Sequence, residues 1–180
     1  MTIPTIIVAA VAIVVLSVFL YRNRIHAINH KTFCSTEHLS EIASLIGDLR
    51  SGIIPGKSEG ELNKEDLTYK KTQNGLIITY SAVYTEEDYF LHHISLNRLG
   101  EPLAAKSASL ISTYIVACLG VTSWDYNLQV SKKGFVHLAF LLSKEEHEKM
   151  MEQPISEVDS LPEIIKNSYK VKIRRHKPVK

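Results

Sequence analysis

An uninterrupted apolar run near the N-terminus constrains the folding of this chain more than any other feature. From Ile3 to Tyr21 no residue carries a charge, and the most polar groups are the hydroxyls of Thr5, Ser17 and Tyr21. A helix of this length, at about 1.5 Å per residue, spans about 28 Å, which is close to the thickness of the hydrocarbon core of a bilayer. The run therefore predicts a transmembrane helix.

The residues on either side of the run distinguish an anchor from a cleaved signal peptide. No Lys or Arg precedes it and no small-x-small cleavage site follows it, which favours an uncleaved anchor over residues 1–24. Arg22, Arg24 and Lys31 come next, and the positive-inside rule places them in the cytoplasm. We therefore predict a single-pass membrane protein with its N-terminus outside and its soluble domain cytoplasmic, as in a bacterial inner membrane. The residues expected to contact the bilayer are Ile3, Ile7, Val11, Val15, Phe19, Tyr21, Arg22 and Arg24.

The net charge of +2 conceals a strong segregation of charge along the chain. Residues 22–31 carry +3, residues 32–163 carry −8, and residues 166–180 carry +7 with no acidic residue among them. The last twelve residues, 169–180, are expected to form a basic tail or an edge strand. A solvated tail and a contact with anionic lipid both remain open, whereas nucleic acid is not expected as a partner, because no aromatic platform accompanies these cations. The candidate lipid contacts are Lys170, Lys172, Arg174, Arg175 and Lys177.

Periodicity divides the remainder into a stalk at 25–35 and a cytoplasmic domain at 36–168. Apolar residues recur at helical spacing after Thr36, the dipeptide Asn74-Gly75 is a strong signal for a β-hairpin, and Ser143 with Glu146 forms a capping box. The predicted elements are a helix at 36–50, strands at 67–73, 76–84 and 89–97, a helix at 103–119, strands at 124–131 and 135–142, a helix from 143 to about 152, and a helical piece at 160–168. The α-β-β-β-α-β-β-α order predicts an α+β fold with a five-stranded antiparallel sheet.

The helix at 103–119 is expected to pack on more than one side. Lys106 is its only charged residue, and its hydroxyls are too frequent for a second membrane span. One of its surfaces could cover the sheet while another meets a second copy of the chain, which predicts a homodimer. The residues expected at this interface are Leu103, Leu110, Ile111, Tyr114 and Ile115.

The element order resembles that of type III secretion chaperones and the related YbjN-like domains, over roughly Thr36 to Lys166. The points of likeness are the entry into the second helix at Pro102, its end at Gly120, and a long hairpin followed at once by Ser143. The resemblance implies a small acidic dimer, commonly paired through the second helix, that binds unfolded segments of its partners. The membrane anchor and the basic tail depart from this pattern, because those chaperones are soluble.

Histidines supply the remaining candidates for a site. A stripe with four-residue spacing consists of His26, His30, Cys34 and His38. Polar residues at 32–36 predict a break in the helix within this stripe, so a polar stalk is favoured over a metal site. His92 and His93 are neighbours on a strand and must face opposite sides of the sheet. His137, on a later strand, is expected to lie across the sheet from one of them.

No constellation of residues indicates catalysis. Gly56-Lys57-Ser58 lacks the first glycine of a phosphate-binding loop, and Cys34 and Cys118 are typical of stalk and core thiols. No enzyme activity, cofactor or metal is therefore predicted. The leading hypothesis is a membrane-anchored protein-interaction module, an adaptor or chaperone-like binder whose protein partner the residues do not identify. The alternative is a membrane-anchored sensor or ligand-binding domain that uses the sheet face with its histidines.

Overall fold

The computed structural model describes residues 3–53, 57, 68–85, 88–98, 100, 103–120, 127–130 and 135–155. Within them the helices are α1 (Ile3–Phe33), α2 (Thr36–Ser51), α3 (Ala105–Cys118) and α4 (Lys144–Glu152). The strands are β1 (Tyr69–Lys71), β2 (Leu76–Tyr84), β3 (Tyr89–Arg98), β4 (Asn127–Val130) and β5 (Val136–Ser143). The helix predicted at 160–168 and the basic end at 169–180 lie outside the described residues.

Helix α1 contains the apolar run and continues well beyond it. It is 31 residues long, so that residues 25–33, predicted as a stalk, extend the same helix. The helix ends before Ser35, which adopts extended backbone and caps α2, its Oγ accepting a hydrogen bond from the His38 N–H at 3.2 Å. The predicted break therefore lies in the expected segment.

The strands form one antiparallel sheet in the order β1-β2-β3-β5-β4. Strands β1 to β3 follow one another as a meander, and the chain then passes through α3 before it returns to the sheet. The last strand, β5, pairs with β3, which leaves β4 at the edge. Mixed helix and sheet with antiparallel pairing confirms the predicted α+β class.

The hairpin between β1 and β2 forms where Asn74-Gly75 predicts it. The Thr72 carbonyl accepts a hydrogen bond from the Gly75 N–H at 2.9 Å, and the Thr72 N–H donates to the Leu76 carbonyl at 2.8 Å. Gly75 has a φ of 80°, a left-handed conformation that glycine adopts without a steric penalty. The connection is therefore a three-residue loop, and it sets the register in which Lys71 lies opposite Ile77.

The hydrophobic core lies between the helices and one face of the sheet. Alternate residues of β2, β3 and β5 are buried, as the two-residue period of a strand requires when one face is covered. The buried apolar residues of α2 are Leu39, Ile42, Ala43, Ile46 and Leu49, at the predicted helical spacing. Each fully buried aliphatic side chain contributes about 1.5–3 kcal/mol, so this helix is held mainly by its packing on the sheet.

All five residues predicted at a dimer interface on α3 and its approach are buried in the core of the single chain. Ile111 and Ile115 are at most 1% exposed, and the other three, Leu103, Leu110 and Tyr114, are at most 5% exposed. Contacts within one chain therefore account for their apolar character without a partner. The homodimer remains a prediction that these five residues do not support.

Candidate functional site

The three histidines that the sequence analysis places on strands lie on different faces of the sheet. His92 is fully buried on the face that the helices cover, whereas His93 is only partly buried on the other face. His137 is exposed and lies opposite Ser95, two residues along β3 from His93, so these two imidazoles share the face that none of the described helices covers. His92 is thus separated from both by the thickness of the sheet.

His92 instead meets a histidine that the sequence analysis did not single out. Its Nε2 lies 3.1 Å from Nδ1 of His147 on α4, and its Nδ1 lies 3.0 Å from the hydroxyl oxygen of Tyr80 on β2. These contacts form a continuous hydrogen-bonded row, Tyr80–His92–His147. A neutral imidazole has one donor and one acceptor, so His92 donates to one neighbour and accepts from the other.

Two phenylalanine rings enclose this row. The His147 ring stacks on Phe90 with centroids 3.7 Å apart and planes 6° apart, and the His92 ring stacks on Phe140 at 4.9 Å and 2°. We call the five side chains of Tyr80, Phe90, His92, Phe140 and His147 the imidazole cluster. The cluster is a polar row inside an apolar sleeve, which keeps the imidazoles dry and fixes their ring orientations.

Local structure explains how the cluster is assembled. Phe90 and His92 are two residues apart on β3 and so share a face, while Phe140 lies directly opposite His92 on β5. Tyr80 lies diagonally across the β2–β3 pair, opposite Ile94. His147 reaches them because the capping box, in which Ser143 Oγ accepts from the Glu146 N–H, begins α4 directly at the end of β5.

Burial keeps the groups of the cluster uncharged near neutral pH. Loss of hydration lowers the pKa of His92 to about 3, and positive charge on His147 or His93 would act in the same direction. Burial also lowers the pKa of His147, although the neighbouring Glu148 carboxylate opposes this change. Burial raises the pKa of the Tyr80 hydroxyl. Near neutral pH the row is therefore a chain of uncharged hydrogen-bond donors and acceptors.

The second polar cluster joins α1 to the domain. Nδ1 of His30 lies 3.0 Å from Oγ of Ser107 on α3 and 3.5 Å from Sγ of Cys34. Phe33 is buried, and the Arg98 guanidinium of β3 lies 4.6 Å from the centre of its ring, a cation–π contact. The C-terminal end of α1 is thus packed on the domain by hydrogen bonds, aromatic contact and burial together.

Three of the four side chains in the histidine stripe contact neighbouring residues. His30 and Cys34 belong to the α1 junction, while His38, beyond the helix break, lies 3.1 Å from both the Glu41 carboxylate and the Asn74 side chain. In the part of the chain that is described, no group of three or more His, Cys, Asp or Glu side chains could hold a metal ion. Burial raises the pKa of the Cys34 and Cys118 thiols to about 11, so neither is a ready nucleophile at neutral pH.

The residues predicted to contact the bilayer lie on an exposed helix. Ile7, Val11, Val15, Phe19 and Tyr21 are all more than half exposed. Arg22 and Arg24 are exposed too, and Ile3 begins the helix. By length and composition alone, α1 is able to cross a membrane. The candidate lipid contacts Lys170, Lys172, Arg174, Arg175 and Lys177 lie outside the described residues.

Comparison of this chain with protein families, with curated proteins and with solved structures finds no match.

Proposed function

We propose that this chain is a single-pass membrane protein whose α+β domain is a protein-interaction module, an adaptor or chaperone-like binder. The observation that carries the proposal is the exposure of apolar side chains on every side of α1. The consecutive residues Ile13 to Leu16 are all more than half exposed. A helix that is apolar all round is stable when it is surrounded by lipid or by protein, and the described part of this chain does not cover it.

The junction between α1 and the domain supports a role in presenting the domain at the membrane. Because α1 continues without interruption to the buried Phe33, the domain is held close to the bilayer by a helix and not by a loose linker. Confinement near a membrane raises the effective concentration of the domain for a partner there, so modest affinity is sufficient. Arg22, Arg24 and Lys31 favour a cytoplasmic domain, as in a bacterial inner membrane.

Membrane insertion is tested by washing membranes with alkaline carbonate. The full chain is expected to stay in the membrane pellet. The double variant Val11→Arg/Val15→Arg is expected to move to the supernatant, since each Arg near the bilayer centre costs about 2.5–3.5 kcal/mol. The matched control Val11→Leu/Val15→Leu keeps the helix apolar and should stay in the pellet. Release of the unmodified chain by carbonate would contradict the anchor.

The interaction role is tested by crosslinking in native membranes and mass spectrometry. A partner should be recovered with the full chain, and it should be absent when residues 1–33 carry an unrelated domain. Recovery of the chain alone would contradict an adaptor or chaperone-like binder. Protease added from the cytoplasmic side should digest the domain, and protection of the domain would contradict the orientation.

A sensor or ligand-binding domain is the second candidate, and one observation favours it. His93 and His137 lie on the face of the sheet that none of the described helices covers, where a small acidic or aromatic ligand would meet imidazoles from neighbouring strands. Native mass spectrometry of the full chain tests this function. A bound small molecule that is lost in His93→Ala/His137→Ala but kept in Tyr69→Ala, a change on an exposed edge residue, would favour the sensor.

A further inference from the structure

Helix α4 is attached to the domain by a small number of contacts. Its buried residues are His147 and Met150, and Met151 packs partly against the core. The Arg50 guanidinium of α2 donates a hydrogen bond to the Met150 carbonyl at 2.9 Å. Of the two buried side chains, His147 alone is hydrogen-bonded to the sheet, through His92. The bond between the two imidazoles is therefore one of the contacts that hold this short helix in place, beside the capping box, the bond from Arg50 and the packing of the two methionines.

The geometry of this bond limits how many protons the docked helix can carry. A neutral pair shares one N–H between Nε2 of His92 and Nδ1 of His147, and a single added proton leaves that bond intact. When both rings are protonated, two N–H donors face each other across 3.1 Å, so the bond is lost and two positive charges repel. Separated in water, the two rings can take up two protons.

The described surroundings of the pair offer little compensation for added charge. The titratable and charged groups around it are Tyr80 on β2 and Glu148 on α4, with Arg50 of α2 acting on Tyr80 and His93 of β3 acting from the other face of the sheet. On β5 the neighbouring side chain is Phe140, which is apolar. Among the described residues, no carboxylate lies within hydrogen-bonding distance of either ring. Glu148 is close enough only to moderate the effect of burial on the pKa of His147.

We propose that α4 is an acid-released latch, held on the sheet by the His92–His147 bond and freed when both imidazoles are protonated. Release uncovers the ring of Phe90, on which His147 stacks in the docked state. It also frees Ile155, which lies just beyond the end of α4 and packs partly against the core. The device thus couples the proton concentration around the domain to exposure of an apolar surface beside the sheet.

The direction of the pH dependence follows from linkage. The ordinary pKa of histidine is 6.5, and burial lowers that of His92 to about 3. The released state therefore binds more protons than the docked state between these values, so docking is complete above about pH 6.5 and is lost progressively as the pH falls. The equilibrium constant for docking should fall by up to about tenfold per pH unit for each proton taken up.

Amide hydrogen exchange of the full chain in lipid nanodiscs tests the latch. Protection factors, corrected for the intrinsic pH dependence of exchange, are compared for α4 and α2 between about pH 7 and about pH 5. The amides of α4 should lose at least about tenfold in protection, while those of α2 in the same molecules keep theirs. In His147→Gln, which retains a side-chain amide but cannot titrate, the loss of protection in α4 should be clearly smaller than in the unmodified chain. In His137→Gln, which removes an exposed histidine, the loss of protection in α4 should equal that of the unmodified chain.

Three outcomes would overturn the proposal. The first is unchanged protection of α4 between the two pH values in the unmodified chain. The second is a joint loss of protection in α2 and α4, which would indicate global unfolding. A loss in His147→Gln equal to that of the unmodified chain would show that another group titrates. The comparison of α4 with α2 is made within the unmodified chain, so it decides the question even when His147→Gln fails to fold.

Discussion

At the scale of single residues, the hydroxyl of Tyr80 is the end of the buried polar row. Tyr80→Phe removes the partner of His92 Nδ1 and leaves a buried nitrogen without a hydrogen bond. An unpaired buried polar atom costs about 1–3 kcal/mol, so we expect the free energy of unfolding to fall by that amount. Denaturant unfolding of the full chain in detergent, at neutral pH, measures this change. Tyr89→Phe on the partly exposed start of β3 is the control, and it should change stability by less than about 0.5 kcal/mol.

An equal loss of unfolding free energy in Tyr80→Phe and Tyr89→Phe would contradict the importance of the Tyr80–His92 bond. It would indicate that water reaches His92 and replaces the hydroxyl. The burial of His92, at 0% exposure, is the reason to expect otherwise.

At the scale of secondary-structure elements, the capping box decides where α4 begins. Ser143→Ala removes the hydroxyl that accepts from the Glu146 N–H, a loss of about 1 kcal/mol for a typical cap. Because α4 has only nine residues and few buried side chains, its amides should lose protection in hydrogen exchange at neutral pH. Ser51→Ala, at the exposed end of α2, removes a bond to the Gly47 carbonyl and is the matched control. Loss of protection in the α4 amides of both variants, or of neither, would contradict a specific role for the Ser143 cap.

The elements themselves were largely predictable, and the reason is local. The helical spacing of Leu39 to Leu49, the Asn74-Gly75 turn and the Ser143–Glu146 box each act over a few residues, so the sequence shows them directly. The continuation of α1 to Phe33 differs from the predicted anchor at 1–24 followed by a separate stalk at 25–35, a division that rests on the charges at Arg22 and Arg24. Charged residues do not interrupt a helix, since they change only which solvent surrounds it.

The imidazole cluster was not predictable in the same way. It brings together residues up to 67 positions apart, from Tyr80 to His147, and it depends on β5 rather than β4 pairing with β3. Helical spacing alone places His147 and Met150 on one face of α4, and that is the available signal that His147 is buried. Nothing local indicates that this face meets His92. The same limit applies to α3: one of its apolar surfaces is predicted to meet a second copy of the chain, and its contacts with α1 and α2 are non-local, so no local pattern predicts them.

At the scale of the whole molecule, truncating the two phenylalanines of α1 should change the free energy of unfolding of the domain by very different amounts. Phe33 is buried against the domain and lies under Arg98, whereas Phe19 is exposed on the apolar part of the helix. Phe33→Ala should lower the free energy of unfolding of the domain by about 3–5 kcal/mol, the usual cost of truncating a buried aromatic residue. Phe19→Ala should leave it within about 0.5 kcal/mol. Denaturant unfolding in detergent, monitored by circular dichroism of the sheet, measures the free energy of unfolding of both variants. A small effect of Phe33→Ala would show that α1 is not packed on the domain in solution.

If α1 spans a membrane as proposed, the uninterrupted helix between the apolar run and the junction would also set the height of the domain above the bilayer. The twelve residues from Arg22 to Phe33 rise about 18 Å, and a helix of this length is stiff. Ala27 is exposed midway along this segment, so Ala27→Pro should kink the helix without touching the domain. Energy transfer from a label on Leu141→Cys to labelled lipid head groups measures the height of the domain. The native thiols of Cys34 and Cys118 stay largely unlabelled, because they are shielded and have a raised pKa. The unmodified helix and Ala27→Ser should give one narrow distribution of distances, and Ala27→Pro a shifted or broader one. A broad distribution for the unmodified helix would mean that the domain moves freely on its anchor, and a rigid connection would then be wrong.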